Sequence, residues 1–399
     1  DGSTKNLTQR VDYFSSDSTV VSAPNEAGNK SKVIAVAPGV ATISAKDPVT
    51  GISTAVDSNA IFTVTGAPAP TRTGPTSTAR SPTPTPTPAL PIQTGNPTTA
   101  CQRDIRRAAR SFVDNKLKTL DRCGGAVSRC IQRKPNDPGC LTAVRVRCAA
   151  ALTKLADEEA RLIETVIRCR TMLSSAEVLG RDGLAYGDIA PSCSARLGRT
   201  LTDLTGGAQC LAAQHSCRAE TLFALERPRA GELLRLVEAA PDAGACREDF
   251  GGGGLGVGDP KGVGKTLERC VQALVRGGAG LVRIRLAAIG RCIDSVFVCI
   301  EAEAGNAACL TKATQKCDRQ FTRVQREIGT LTVATGKRCN GLDFAVLRGP
   351  AGAYLDAVTP TCPSYGIPTV TSIADYVACL VRQHECEVAD LVRFESPRA

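Results

Sequence analysis

The cysteines of this chain recur with a regularity that leaves few folds open. Nine of them, at 101, 123, 130, 140, 148, 169, 193, 210 and 217, return at 270, 292, 299, 309, 317, 339, 362, 379 and 386, an offset of 169 residues with one slip to 170 at Cys339. Side-chain context follows the cysteines: GCLTAVRVRC is echoed by ACLTKATQKC, and CRAETLFALERPRA by CEVADLVRFESPRA. Self-similarity at a fixed period marks a duplicated structural unit.

Inside each copy the cysteines nest. Paired from the outside in, Cys101 with Cys169, Cys123 with Cys148 and Cys130 with Cys140 have position numbers that sum to 270 or 271. The second copy gives Cys270 with Cys339, Cys292 with Cys317 and Cys299 with Cys309, summing to 608 or 609. A constant sum is the signature of two antiparallel segments folded about one turn. In the first copy that turn is written at the midpoint as KPNDPG, residues 134–139, whose residue types break helices and favour turns. The arms CQRDIRRAARSFVDNKLKTLDRC and CLTAVRVRCAAALTKLADEEARLIETVIRC are rich in Ala, Leu, Arg, Lys and Glu and read as long helices. At about 1.5 Å per residue, the 22- and 21-residue steps between rungs both span roughly 30 Å, so the rungs match. The expectation is a helical hairpin laced by three disulfides, present twice.

Nineteen cysteines with no Trp, one Met and 4% aromatics describe a chain held by covalent bonds more than by an aromatic core. Disulfides at this density persist in oxidising surroundings, which places the protein at the cell surface or outside the cell. No run of eighteen apolar residues exists to span a membrane, and DGSTKNLTQR lacks the apolar stretch of a signal peptide, so the chain is expected to be processed or a piece of a longer one. The formal charge of +10 is spread along arms where acidic and basic residues alternate. Nucleic-acid binding calls for a concentrated basic stripe with stacking aromatics, which the sequence lacks; weak attraction to anionic cell-surface polymers fits better.

Residues 1–67 alternate apolar and polar residues over short runs broken by turn residues, as in TVVSAP, SKVIAVAPGVATISAKD and AIFTVTG, which is strand periodicity. The wording DGSTKNLTQRVDYFSSDSTVVSAP followed by KVIAVAPGVATISAKDPVTGISTAVDSNAIFTVTG resembles the bacterial Ig-like domain, group 2, most specifically in the A-PG-x-A-T-I-x-A segment from Ala37 to Ala45. The resemblance implies a small all-β Ig-like sandwich used as a spacer or adhesive module on bacterial surfaces, and no catalytic residues. The family pattern carries about two further strands before the D-G-S-T segment. Either the sequence is truncated upstream, or another chain's strand completes the sandwich. Residues 68–100, rich in Ser/Thr-Pro repeats, read as an extended spacer. A Cys-rich helical repeat at 101–250, a Gly-rich linker at 251–267 expected to be flexible, and a second helical repeat at 268–399 complete the multidomain plan.

Copy one holds a tenth cysteine, Cys246, whose counterpart would fall near position 415. One of Cys362, Cys379 and Cys386 is therefore left without an internal partner, and an odd cysteine in a secreted chain suggests a free thiol or a bond between molecules. How Cys193, Cys210, Cys217 and Cys246 pair is open at this point.

Candidate chemistry is sparse. The string GVGDPKGVGKT misses the phosphate-binding pattern G-x4-G-K-[ST], because Asp259 stands where the first glycine belongs. The only two histidines, His215 and His384, sit at equivalent places in CLAAQHSC and CLVRQHEC. With Cys210 and Cys217, or Cys379 and Cys386, each could offer ligands to zinc or an axial ligand to haem; the competing reading is a histidine beside a structural bridge. Asp157, Glu158 and Glu159 lie in a charge run typical of a solvated face. No triad signature accompanies either histidine, so no catalytic residue is assigned and the chain is read as a non-enzyme. The functional expectation is a bacterial extracellular structural protein, a subunit of a surface fibre, stalk or adhesin that associates with identical subunits.

Overall fold

The protein is described from a computed structural model that covers residues 11–23, 25, 33–46, 48, 53, 60–64, 96–135, 137–197, 203–238, 246, 249–301, 303 and 305–398. The D-G-S-T segment and residues 68–95 of the expected spacer lie outside the described residues. The chain divides into two compact units, residues 1–87 and 88–399.

In the first unit the period-2 segments form β1 (Asp12–Ser15), β2 (Val21–Ser22), β3 (Ile34–Ala35), β4 (Gly39–Lys46) and β5 (Ala60–Val64). β4 is the centre of a three-stranded antiparallel sheet ordered β1-β4-β5, with Asp12 opposite Lys46 and Gly39 opposite Val64. β2 and β3 form a separate two-stranded antiparallel ribbon. The strand period turns Ala41 and Ile43 inward against Val20 and Val21, while Val40 faces solvent. Gly39 permits this closure, since a Cβ there would lie 2.6 Å from a methyl of Val20.

The second unit is all-α. α1 (Asn96–Arg133) and α2 (Pro138–Arg168) are the arms of the first hairpin, and α7 (Val263–Glu301) and α8 (Ala307–Cys339) are the arms of the second. α1 is helical because its apolar positions recur at three and four: Cys101, Ile105, Phe112, Leu120, Cys123, Val127 and Cys130 are buried on one stripe. Pro138 opens α2 at a position where its missing N–H costs nothing, and the side chain of Asn306 caps α8 by accepting from Ala308 N and Cys309 N. After each hairpin come shorter pieces: α3 (Ser175–Leu179), α4 (Ala190–Leu197), α5 (Leu204–Glu226) and α6 (Ala230–Arg235) in the first repeat, α9 (Phe344–Arg348) and α10 (Ile373–Glu395) in the second.

The rungs are Cys101–Cys169, Cys123–Cys148 and Cys130–Cys140 in one hairpin, and Cys270–Cys339, Cys292–Cys317 and Cys299–Cys309 in the other. Cys193–Cys210 and Cys362–Cys379 are equivalent bonds, each spanning 17 residues, and Cys217–Cys246 occurs in the first repeat alone. Cys386 is free and exposed.

Two features differ from the sequence-based plan. Helix α1 starts at Asn96, inside the expected spacer, with Thr98 and Thr99 already buried. The glycine-rich stretch after residue 250 is tied down: Gly253 N donates to Pro350 O, Gly254 N to Glu232, and Val257 N to the side chain of Gln132. Composition reads such a run as flexible, but small residues also let backbone approach backbone, and a Cβ at Gly256 would sit 2.4 Å from Ile131 O. The two repeats share one core, in which Leu120, Val127 and Leu222 pack with Leu274, Leu281 and Leu391.

Candidate functional site at the seam between the repeats

The repeats meet through contacts that are exchanged. His384 of the second repeat sets Nε2 2.9 Å from Oε1 of Glu226 in the first. His215 of the first repeat sets Nε2 3.6 Å from Oε2 of Glu395 in the second, beyond hydrogen-bond length. Glu226 and Glu395 are themselves 169 apart, the glutamates of ERPRA and ESPRA. The arginines of the same motifs cross in the same way. Arg229 donates to the carbonyls of Ala351 at 2.9 Å and Gly352 at 3.2 Å, and Arg398 donates to those of Asp182 at 3.3 Å and Gly183 at 3.1 Å. Ala351 and Gly352 are the counterparts of Asp182 and Gly183. Two residues later in each gripped loop, Ala185 (φ 58) and Tyr354 (φ 62) hold the left-handed conformation that side chains disfavour.

One pair lies where the exchange folds onto itself. Arg218 of α5 donates to Glu387 of α10 at 2.7 Å, and these occupy equivalent positions. A contact of i with j and of j with i, plus one position meeting itself, defines an isologous interface about an internal two-fold. The seam is thus a two-fold interface of the homodimer type, contained in one chain.

The seam is closed to solvent. His215, His384 and Glu226 are fully buried and Glu395 nearly so. His215 Nδ1 lies 2.9 Å from the Leu211 carbonyl, which can only accept, so Nδ1 carries a proton and donates to it. Burial pushes Glu226 well above the usual carboxylate range, reinforced by Asp121 and opposed by Arg227. Burial likewise raises Glu395, against the pull of His215 and Arg106. His384 is driven down to about 3 by burial, with the Leu380 carbonyl opposing. Burial thus favours the uncharged forms of both His384 and Glu226, which face each other at 2.9 Å. Gly278 of α7 makes room for the pair, because a Cβ there would lie 2.5 Å from Glu226 Oε1.

The residues expected as a ligand set are not gathered. Cys210, Cys217 and Cys379 are oxidised into bonds with Cys193, Cys246 and Cys362, Cys386 is at the surface, and each imidazole faces a glutamate. Among the described residues no cluster of three or more His, Cys, Asp or Glu is arranged to hold a metal ion. Asp259, in the near-miss phosphate string, accepts from Gly262 N and Val263 N at 2.9 Å each and so caps the start of α7. Glu158 pairs with Arg161 on the solvated face.

Surface grooves run between hairpin arms. Beside the first turn, Arg129, Arg133, Lys134 and Arg147 line a groove of about 310 Å³. A neighbouring one of about 360 Å³ shares Arg147 and adds Lys118, Arg122 and Lys154, with Glu158 as its acid. No family model, curated protein or solved structure matches the chain. Among the described residues no helix is long and apolar enough to cross a membrane.

The sequence signal for the seam is the E-x-P-R-A echo: a motif repeated without a cysteine, carrying a glutamate and an arginine whose side chains meet the other copy.

Proposed function

We propose that the chain is a bacterial extracellular structural protein, a subunit of a surface fibre, stalk or adhesin, in which the helical unit is a hardened block. The observation that carries this reading is the combination of nine disulfides, all within one repeat or the other, with a buried reciprocal seam of non-covalent contacts between the repeats. Each bridge adds on the order of 2–4 kcal/mol by constraining the unfolded chain, a use that suits life outside the cell. The Ig-like resemblance of residues 1–67 and the Pro/Thr-rich composition of 68–100 support display of that block at a distance from the surface. The buried histidines are structural, and no catalytic role is assigned. The basic grooves of the first hairpin support loose contact with anionic cell-surface polymers, because Arg122, Arg133 and Lys154 carry no ion-pair partner among the described residues.

Non-reducing against reducing electrophoresis, with electron microscopy of the same sample, tests the reading. A ladder of multimers that collapses on reduction, with fibres in the images, is expected. A uniform monomer at all concentrations would overturn it.

A further inference from the structure

Eight of the twelve cysteines in the hairpin rungs follow a basic residue. In the first hairpin these are Arg122, Arg129, Arg147 and Arg168; in the second, Arg269, Arg291, Lys316 and Arg338. With 49 Lys and Arg in 399 residues, composition alone would supply one or two. The position has a geometric meaning. One step back along a helix turns the side chain by about 100° from the cysteine. Two antiparallel arms are related by a two-fold axis normal to the hairpin plane, which carries that step onto the same side of both arms. The residue before each rung cysteine therefore belongs to one face of the hairpin, whichever arm it comes from.

The side chains follow this rule. All eight are exposed. Arg122 and Arg147, which precede Cys123 and Cys148 on opposite arms, line one groove. Arg291 and Lys316, preceding Cys292 and Cys317, line another of about 580 Å³, and Arg269 and Arg338, preceding Cys270 and Cys339, a third of about 450 Å³. One step after the cysteines the helix faces the core: Gly124, Ile131 and Val271 are buried, and a Cβ on Gly124 would lie 3.1 Å from Phe223 of α5. The basic face is open in the first repeat with α5 and α6 both in place.

Positive charge prevails there. Of the eight, only Arg129 has an acidic partner among the described residues, Glu268 at 3.6 Å. The groove of Arg129, Arg133, Lys134 and Arg147 has no acid in its lining. Along α2, Arg147, Lys154, Arg161 and Arg168 follow one another at seven-residue steps, over which a helix drifts by only about 20°. At about 1.5 Å per residue that row spans roughly 30 Å, a length that a linear polyanion can use and a small anion cannot. Seven of the eight are arginines, whose planar fork suits phosphate oxygens. No aromatic side chain lines any of the four grooves, so the face offers nothing for bases to stack on.

We propose that the cysteine-flanking face of each hairpin binds a linear phosphate polymer without bases, its backbone straddled by the opposing basic pairs. The inference rests on the extracellular reading above for the source of the polymer, the cell surface, and adds the site and the ligand chemistry.

The test measures binding of inorganic polyphosphate to the full chain across a salt series, beside single-stranded DNA and dextran sulfate matched in number of charges. R122E/R147E and R269E/R338E are compared with R181E/R348E, which makes the same change in net charge at exposed positions outside the hairpin arms. Reversing either pair lowers affinity by about tenfold or more and the salt slope by about two. The neutral R122Q/R147Q moves both in the same direction, the control pair shifts affinity by less than about threefold, and circular dichroism is unchanged throughout. Equal losses in face and control variants, no binding of polyphosphate, or tighter binding of DNA or dextran sulfate would overturn the proposal. Fibre and face fail separately: a uniform monomer whose polyphosphate binding still depends on Arg122 and Arg147 removes the fibre and keeps the face, and fibres whose binding ignores them do the reverse.

Discussion

The two repeats were built to one plan and finished differently. Both have a hairpin with three rungs, a 17-residue loop bond, and a terminal helix carrying a buried histidine and glutamate. The first then closes its outer face with α6 and Cys217–Cys246, whereas the second keeps Cys386 as a thiol and Ile300 in solvent. The difference is one of burial: the stripe of the first hairpin from Lys116 to Ile131 is closed, and the equivalent stripe of the second from Arg285 to Ile300 is partly open.

Breaking equivalent contacts should sharpen this contrast. Lys116 and Glu220 are each 3% exposed, so Lys116→Met leaves a buried carboxylate alone and should cost about 3–5 kcal/mol in denaturant unfolding. Arg285, the counterpart of Lys116, pairs instead with Glu385 at the place of Ser216, both about one-fifth exposed, and Arg285→Met should cost about 1 kcal/mol or less. Equal costs would contradict the view that the first repeat is the more tightly closed.

Next in size is the unshared bridge. Cys246→Ser opens a 29-residue separation and should lower stability by about 3.5 kcal/mol. It should also raise hydrogen exchange along α1 between Leu120 and Ile131 towards that of α7. Cys386→Ser should leave the unfolding midpoint unchanged.

The exchanged arginines come third. Arg229→Ala removes two hydrogen bonds to loop carbonyls and strands Glu232, at about 2–3 kcal/mol, while Arg398, with its side chain 27% exposed, should cost about 1 kcal/mol. In both variants the strained residues Tyr354 and Ala185 lose the grip on their loops, which amide exchange at those loops would reveal.

A further effect is graded with pH. As pH falls from 6.5 towards 3, the unfolded chain binds a proton that His384 refuses in the fold, so stability falls on the acid side. As pH rises above 4.5, the unfolded chain releases protons that Glu226 and Glu395 retain, so stability falls on the alkaline side. For His384 with Glu226 the two slopes offset one another between 4.5 and 6.5, which predicts a plateau there from this pair. Outside it the loss is about 1.4 kcal/mol per pH unit for each proton in play. Midpoints of urea unfolding from pH 3 to 9 would show it, and a monotonic profile would exclude the neutral pair.

The hairpins were legible because nested cysteines encode geometry directly: a constant sum of positions states both antiparallel direction and register. The bonds Cys193–Cys210 and Cys362–Cys379 were less so, although the same 17-residue spacing recurs in both copies. The seam was not legible. Periodicity reports that His215 and Glu226 lie on one helix, but nothing local says that each meets its partner from the other copy. Glycine content misled at 251–262 for the same reason, since a run that looks flexible alone is ordered by carbonyls more than ninety residues away. The strand pattern of residues 1–67 appeared as small antiparallel sheets, with β4 at the centre.

The central claim is that the two repeats are one folding unit joined across an internal two-fold. It is tested most directly by following helical signal at 222 nm through denaturant unfolding of the full chain with its disulfides intact, for the parent and for Glu226→Ala. The reciprocal seam predicts one transition in both proteins, shifted as a whole by about 2–4 kcal/mol in the variant. Two separable helical transitions, with the substitution moving one and sparing the other, would contradict it.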